Sequence, residues 1–420
     1  MALRETNLPE VDLGCIPMLS RVRSQPGERE GSRKRSGRAT ALANSSIVSR
    51  QEARGETMRK GSWWGRGIVC FLVAAATVLA GAGSESAAEA IPRPNFLILV
   101  SDDQRAETMG FMPRTEQRIF EEGIAFANAF ATTPLCCPSR ASLLTGMYAH
   151  RHGVRTNNIS LTLPTVFDRL HDAGYFTGLV GKYLNSWDGT PRPEFDFWVS
   201  FPGAGAAYVS DKPFWLRFHL PLTPFEVWQV DRDRRNQLRC VASLDRAVES
   251  LVLDLERRGL LDSTVVLYLS DNSVFWGEHR LVNKAKVYEE AVRIPFAVRF
   301  PPLATVPRVE TGLVAIIDIA PTMYDLAGIP IPSDVSGRSL VPLLTSSGPW
   351  REDLMLEGWT GPSFSAVRTG TRVYVENRVD LPELYDLTAD PYQLRNQVFN
   401  RSYATEIAAL QTRLRALRGE

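Results

Sequence analysis

From about residue 94 onward, short runs of β-branched and aromatic residues alternate with stretches whose apolar positions recur every three or four residues. This alternation predicts a mostly parallel sheet covered by helices, since strands buried on both faces read as continuous apolar runs and covering helices keep one apolar stripe. The clearest runs are residues 96–100, 176–180, 214–218 and 264–269, and polar residues follow each at once. These are Ser101-Asp102-Asp103, Gly181-Lys182, His219 and Ser270-Asp271-Asn272. Open α/β sheets bind ligands at the carboxyl ends of their strands, so the pattern nominates one sheet edge as the site. Residues 238–258 place Leu244, Val248, Leu251 and Leu255 between charged residues and close on Gly259, which predicts an amphipathic helix over one sheet face. Two more apolar runs, 295–300 and 313–319, precede a helix opened by Ala320-Pro321-Thr322 and ending near Gly328. The rest predicts short strands, turns and a helix from about Tyr403, a small C-terminal α+β subdomain over 346–420 behind a larger α/β domain over 91–345.

Residues 1–57, including Arg33, Lys34, Arg35 and Arg38, have no apolar periodicity. They are expected to be disordered, or an extension from an upstream start-codon assignment with Met58 as the true start. Met58-Arg59-Lys60, the apolar stretch 68–80 and two Ala-x-Ala sites, ending at Ala82 and Ala90, have the tripartite form of a secretory signal peptide over 58–90. The stretch is shorter than the roughly 20 apolar residues that span a bilayer. An exported protein, secreted, periplasmic or at the cell surface, is therefore expected, with no stable membrane span after cleavage.

Composition narrows the function classes. With 44% hydrophobic residues and a net charge of +1, the chain can bury a large core and has no basic field of the kind that binds nucleic acid. Of five cysteines, Cys15 and Cys70 fall in segments expected to be absent from the mature chain. The remaining Cys136, Cys137 and Cys240 are odd in number, which in an exported protein points to a role other than a disulfide for at least one.

The most specific segment is Cys136-Cys137-Pro138-Ser139-Arg140-Ala141-Ser142-Leu143-Leu144-Thr145-Gly146. It resembles the sulfatase signature Cys-x-Pro-Ser-Arg followed by Leu-Thr-Gly, in which the first cysteine is oxidised to formylglycine. The resemblance implies that Cys136 is the modified residue and that a formylglycine-generating enzyme is a partner. The chemistry accounts for the residue types: a sulfate monoester is anionic, so it needs cationic clamping and an activated oxygen nucleophile. A hydrated aldehyde supplies two hydroxyls, one to attack sulfur and one to expel sulfate, whereas a serine supplies only the first.

Further site residues follow from the same resemblance. Arg140, one helical turn beyond Cys136, is implied to support the modified residue and the metal. Asp102, Asp103, Asp271 and Asn272 are hard oxygen donors suited to a divalent cation, and the resemblance groups them with residue 136 around one Ca²⁺. Gly181-Lys182-Tyr183-Leu184-Asn185 resembles the N-acetylglucosamine-6-sulfatase and heparan-type branch and implies that Lys182 contacts sulfate. Lys284, ahead of Tyr288-Glu289-Glu290, resembles the sulfate-binding lysine of that branch, with Lys286 as a nearby competitor. His279 is a candidate acid–base group or substrate contact, and His150 and His152 are expected to be structural.

The likeness runs from about residue 94 to 410 and includes Asp318-Ile319-Ala320-Pro321-Thr322, Gly337-Arg338-Ser339-Leu340 and Leu384-Tyr385-Asp386-Leu387. It implies an alkaline-phosphatase-like α/β sandwich with a smaller C-terminal sheet, a sulfuric ester hydrolase whose substrate is a sulfated carbohydrate or another sulfate ester. Four features depart from the family pattern: His219, a candidate substrate contact, stands several residues early for the sulfate-contacting histidine, so that it either replaces that histidine or the contact is missing; Leu184 replaces a histidine, Ser273 replaces a glycine, and 198–212 is short. Two other readings of these residues stay open: a phosphodiesterase or phosphonate monoester hydrolase of the same superfamily, and a catalytically inactive exported binding protein.

Overall fold

The two strands that end in Asp102-Asp103 and Asp271-Asn272 lie side by side. In a computed structural model of the chain, residues 93–201, 222–361 and 363–420 are described. The expected extension 1–57, the signal segment 58–90, the strand 214–218 and His219 lie outside them. Five strands, β1 (Asn95–Ser101), β2 (Ile124–Phe126), β3 (Thr264–Ser270), β4 (Phe296–Arg299) and β5 (Arg308–Glu310), form the central sheet in the order β1-β3-β4-β2-β5. β1 pairs with β3 and β2 with β5 in parallel, while β4 runs antiparallel to both its neighbours, so four of the five strands share one direction.

Strand periodicity sorts side chains onto two covered faces. Val265, Leu267 and Leu269 of β3 share a core with residues of two helices, α1 (Cys136–Thr145) and α3 (Ile319–Leu326). Val266 and Tyr268 share another with Val241, Val248 and Val252 of α2 (Pro224–Arg257). All seven residues of β3 are buried, which explains its uninterrupted apolar run. α2 starts well before residue 238: Thr223 and Glu226 form a capping box, with Pro224 in the first turn. The run 313–319 is a two-residue strand, Val314–Ala315, a turn at Ile316–Asp318 and the start of α3 rather than one strand.

A second sheet of β6 (Asp353–Gly358), β7 (Phe364–Thr369), β8 (Arg372–Asn377) and β9 (Glu383–Asp386) is antiparallel throughout and is covered by α4 (Ala404–Arg418). Phe130, Tyr148, Val292 and Ile317 pack in one core with Leu354, Leu356, Tyr374 and Leu410, joining this sheet to the site-bearing layer. The fold is thus α/β, with a mostly parallel, helix-covered central sheet and a C-terminal antiparallel sheet. Among the described residues, no helix is long and apolar enough to cross a membrane.

Candidate active site

β1 and β3 pair in register through Ser101↔Ser270, so the chain leaves both strands at one level and Asp102-Asp103 emerges beside Asp271-Asn272. The Asp271 N–H donates to the Ser101 carbonyl at 3.0 Å and seals this end of the ladder. Asp103 turns into the left-handed region at φ 58°, and its N–H donates to Asp271 Oδ1 at 3.1 Å. The same oxygen accepts the Asn272 N–H at 2.9 Å, and Asn272 Nδ2 donates to Asp103 Oδ1 at 2.6 Å.

α1 drives into this corner. Its ten residues are all buried, and Gly146 caps it at φ 72°, which is the positional meaning of the glycine in Leu-Thr-Gly. Gly337 has a different reason: a Cβ there would stand 1.9 Å from the Ile317 carbonyl oxygen, so only glycine fits. Cys136 opens α1. One turn on, the Ser139 hydroxyl donates to the Asp271 carbonyl, and Arg140 donates through Nε to Asp271 Oδ2 at 2.8 Å and through Nη1 to the Lys182 carbonyl at 2.8 Å. A third Arg140 nitrogen lies 3.4 Å from Asp102 Oδ1. Lys182 Nζ donates to Asp102 Oδ1 at 2.7 Å. Lys284 donates to the Asp103 carboxylate, lies 2.8 Å from Cys136 Sγ and reaches Asn272 Oδ1 at 3.5 Å. The Ala285 N–H, bonded to the Pro134 carbonyl at 3.0 Å, fixes the Lys284 segment against the loop that leads into Cys136.

Three carboxylates and three cations therefore surround residue 136. Burial pushes the Cys136 thiol up to about 12 against the opposing pull of Lys284, so it is protonated at neutral pH. Burial also acts to raise Asp102, but Arg140, Lys182 and Lys284 outweigh it and hold that carboxyl well below the usual carboxylate range. Its side chain is 48% exposed, so water screens part of this effect. Asp271, fully enclosed, is raised by burial and by the nearby Asp102 charge. Burial acts to lower Lys284, yet Asp103 and the other acids lift it well above the ordinary lysine value.

The donors suit a hard cation. One atom each from Asp102, Asp103 and Cys136 lies within 4.8 Å of the others. Asp103, Asn272 Oδ1 and Cys136 Sγ already converge on a positive charge, the Lys284 ammonium. Asp271 is committed differently: one of its oxygens accepts from Arg140 and the other from two main-chain N–H groups.

Eight of the expected site residues thus meet in one corner: Asp102, Asp103, Cys136, Arg140, Lys182, Asp271, Asn272 and Lys284. His279 has other neighbours. Its ring stacks on Tyr288 with centroids 4.0 Å apart, and Nε2 lies 3.4 Å from Glu290 Oε2. Lys286, the competitor to Lys284, is half-buried. His150 binds Glu357 of β6 at 2.9 Å, and His152 lies 3.0 Å from the Ser142 hydroxyl on α1. Leu184 and Ser273 are buried. Sequence reasoning passed over Ser139, Gln237 and Asn157, whose side chains bond to the Asp271 carbonyl, the Asp103 carbonyl and the Cys137 N–H. Ser139 lay inside the signature and was legible there; the other two sit in segments whose polarity alone reads as surface.

Comparison with known proteins places the chain in a family. The family description "Sulfatase" matches residues 94–217 and 219–329, and "N-sulphoglucosamine sulphohydrolase, C-terminal" matches residues 277–420. The extracellular sulfatase SULF-1 homolog of Drosophila melanogaster is 29% identical over 381 residues, an alignment covering 68% of this chain and 34% of that protein. The chain thus spans about a third of that relative's length. N-acetylglucosamine-6-sulfatase of Homo sapiens is 26% identical over 447 residues, covering 72% of this chain and 81% of the human protein. The solved structure of a protein in complex with its substrate D-glucosamine-2-N, 6-O-disulfate superposes with a TM-score of 0.68 at 21% identity, covering 78% of this chain and 98% of the other. At that identity the likeness is one of fold.

Proposed function

The chain belongs to the sulfatase family, and on that premise we propose that it hydrolyses a sulfate monoester on a sulfated sugar, using a formylglycine made from Cys136 and a Ca²⁺ ion held by Asp102, Asp103, Asp271 and Asn272. The observation that carries the proposal is the convergence of Arg140, Lys182 and Lys284 with the strand-end pairs Asp102-Asp103 and Asp271-Asn272 around residue 136. The sugar part rests on the named activity of the human relative and the named substrate of the structural neighbour.

The chain's own residues divide the work. Lys182 and Lys284 are the clamp for the anionic ester; Lys182 is bound to Asp102 and Lys284 to Asp103, and Lys284 turns from the cation donors toward the ester when the ion binds. Arg140 anchors Asp271 and the Lys182 main chain and so sets the distance between metal side and sulfate side. A thiol held protonated is a poor nucleophile, which supports a side chain that acts only after conversion. On this reading Cys136 Sγ marks the place that the oxygens of the converted side chain would take. Hydrated formylglycine would supply the oxygen nucleophile, and Ca²⁺ would polarise sulfate oxygens. Conversion by a formylglycine-generating enzyme and export through residues 58–90 complete the proposal.

The test is turnover of an aryl sulfate, glucosamine 6-sulfate, a phosphate monoester and a phosphonate monoester by one preparation of the full chain. The sulfate esters are expected to be preferred by at least about tenfold in kcat/KM, or about 1.4 kcal/mol. A phosphonate preference of similar size would replace this reading with the phosphonate monoester hydrolase one.

A further inference from the structure

Gln237 lies partway along α2, among charged residues on the exposed half of that helix. Its amide bridges two groups. Nε2 donates to the main-chain carbonyl of Asp103 at 2.5 Å, and Oε1 accepts from the indole Nε1 of Trp276 at 2.7 Å. The chemistry fixes this order, because a peptide carbonyl only accepts and an indole N–H only donates. The bridging residue must therefore offer one donor and one acceptor, which a side-chain amide does and a carboxylate or aliphatic chain does not. Trp276 is itself held in place. The guanidinium of Arg105 stacks 4.4 Å from its ring centroid, that of Arg234 lies 5.1 Å away, and Glu278 accepts from both Arg105 Nη1 at 2.7 Å and the Trp276 main-chain N–H at 2.6 Å.

At the other end of the bridge, Asp103 occupies the left-handed region, which is uncommon for a non-glycine residue although aspartate enters it more readily than most. Asp271 holds its N–H, and Asn272 and Lys284 hold its carboxylate. Gln237 holds its carbonyl. We propose that Gln237 is a positioning residue for the cation site: by fixing the Asp103 carbonyl it maintains the left-handed turn that aims the Asp103 carboxylate at residue 136. Trp276, Arg105 and Glu278 form the frame that keeps the amide in register. The inference rests on the reading of Asp103 as a cation ligand.

Calcium titration calorimetry on the full chain, with thermal melting in EDTA beside it, tests this. Gln237→Met keeps side-chain length and removes both hydrogen bonds. It is expected to raise the Kd for Ca²⁺ about 10- to 100-fold, the range typical for loss of a group that orients a metal ligand. Trp276→Phe keeps an aromatic ring beneath Arg105 while removing the indole N–H and part of the ring surface, so a rise in Kd smaller than that of Gln237→Met is expected, and it provides the readout if Gln237→Met fails to fold. A lower melting temperature with unchanged Kd in both variants would mean that the bridge only packs α2, and would overturn the inference. An unsubstituted chain that takes up no Ca²⁺ would overturn the cation reading itself, and shows this before any substitution is made.

Discussion

Arg140→Met isolates the electrostatics of the corner. It removes the donations to Asp271 Oδ2 and to the Lys182 carbonyl, both at 2.8 Å, while methionine keeps much of the aliphatic packing. Left behind is an Asp271 side chain with no solvent exposure. Deleting one partner of a buried ion pair typically costs about 3–5 kcal/mol, because the other charge is stranded. For a folded domain of roughly 300 residues, about 4 kcal/mol lowers the midpoint by about 6 °C. If the stranded charge causes the loss, Asp271→Asn in the same background should relieve it, and the double variant is expected to fall short of the summed single losses by about 2 kcal/mol or more. The pH dependence has a definite sign. The Asp271 carboxyl, already raised by burial, rises further without Arg140. Such a carboxyl keeps a proton that the unfolded chain releases, so stability falls as pH rises from the unfolded carboxylate value through the raised one. The Arg140→Met deficit should therefore be larger at pH 8 than at pH 5. Urea unfolding in EDTA measures both effects; additive single losses to within about 0.5 kcal/mol, or a deficit independent of pH, would refute the reasoning.

Three other outcomes follow from the same geometry. Lys284→Ala should lower kcat/KM on an aryl sulfate about 10²- to 10³-fold, the usual loss for one charge-stabilising donor, and steady-state kinetics showing less than a fivefold drop would remove Lys284 from the clamp. EDTA should abolish turnover and added Ca²⁺ restore it, with Ca²⁺ at about 100 times its Kd raising stability by about 2.7 kcal/mol; a melt insensitive to Ca²⁺ would contradict the cation site. Burial pushes His152 down to about 4 from its ordinary 6.5. Its contribution is full above pH 6.5 and is lost as pH falls toward 4, by about 3 kcal/mol in total. His152→Gln should flatten that acid limb in unfolding measurements from pH 7 to 4.5, and an unchanged limb would assign the acid loss to other groups.

Much of the corner was legible because its chemistry sits at strand ends. Continuous apolar runs at 96–100 and 264–269 located β1 and β3, and the Asp-Asp and Asp-Asn pairs after them could emerge together only if those strands were neighbours in register, as Ser101↔Ser270 shows. The direction of β4 was not legible, since parallel and antiparallel strands buried on both faces carry the same apolar run. The start of α2 was missed because residues 224–237 are mostly exposed and carry no apolar stripe, although Thr223, Pro224 and Glu226 spelled out a helix start. Gln237 lay within that missed stretch. Its partner is the main-chain carbonyl of Asp103, more than a hundred residues away, and no local pattern encodes such a pairing. His279 illustrates a related limit: its place soon after Asp271-Asn272 in sequence gave no sign that its ring would stack on Tyr288.

Peptide mass spectrometry of the tryptic fragment ending at Arg140, made on enzyme whose aryl-sulfate turnover has just been measured, bears most directly on the account. Conversion of the thiol to the aldehyde gives a peptide about 18 Da lighter than its cysteine form, and that lighter peptide should rise in step with turnover across preparations. Full turnover from protein carrying only the cysteine form at position 136 would contradict it.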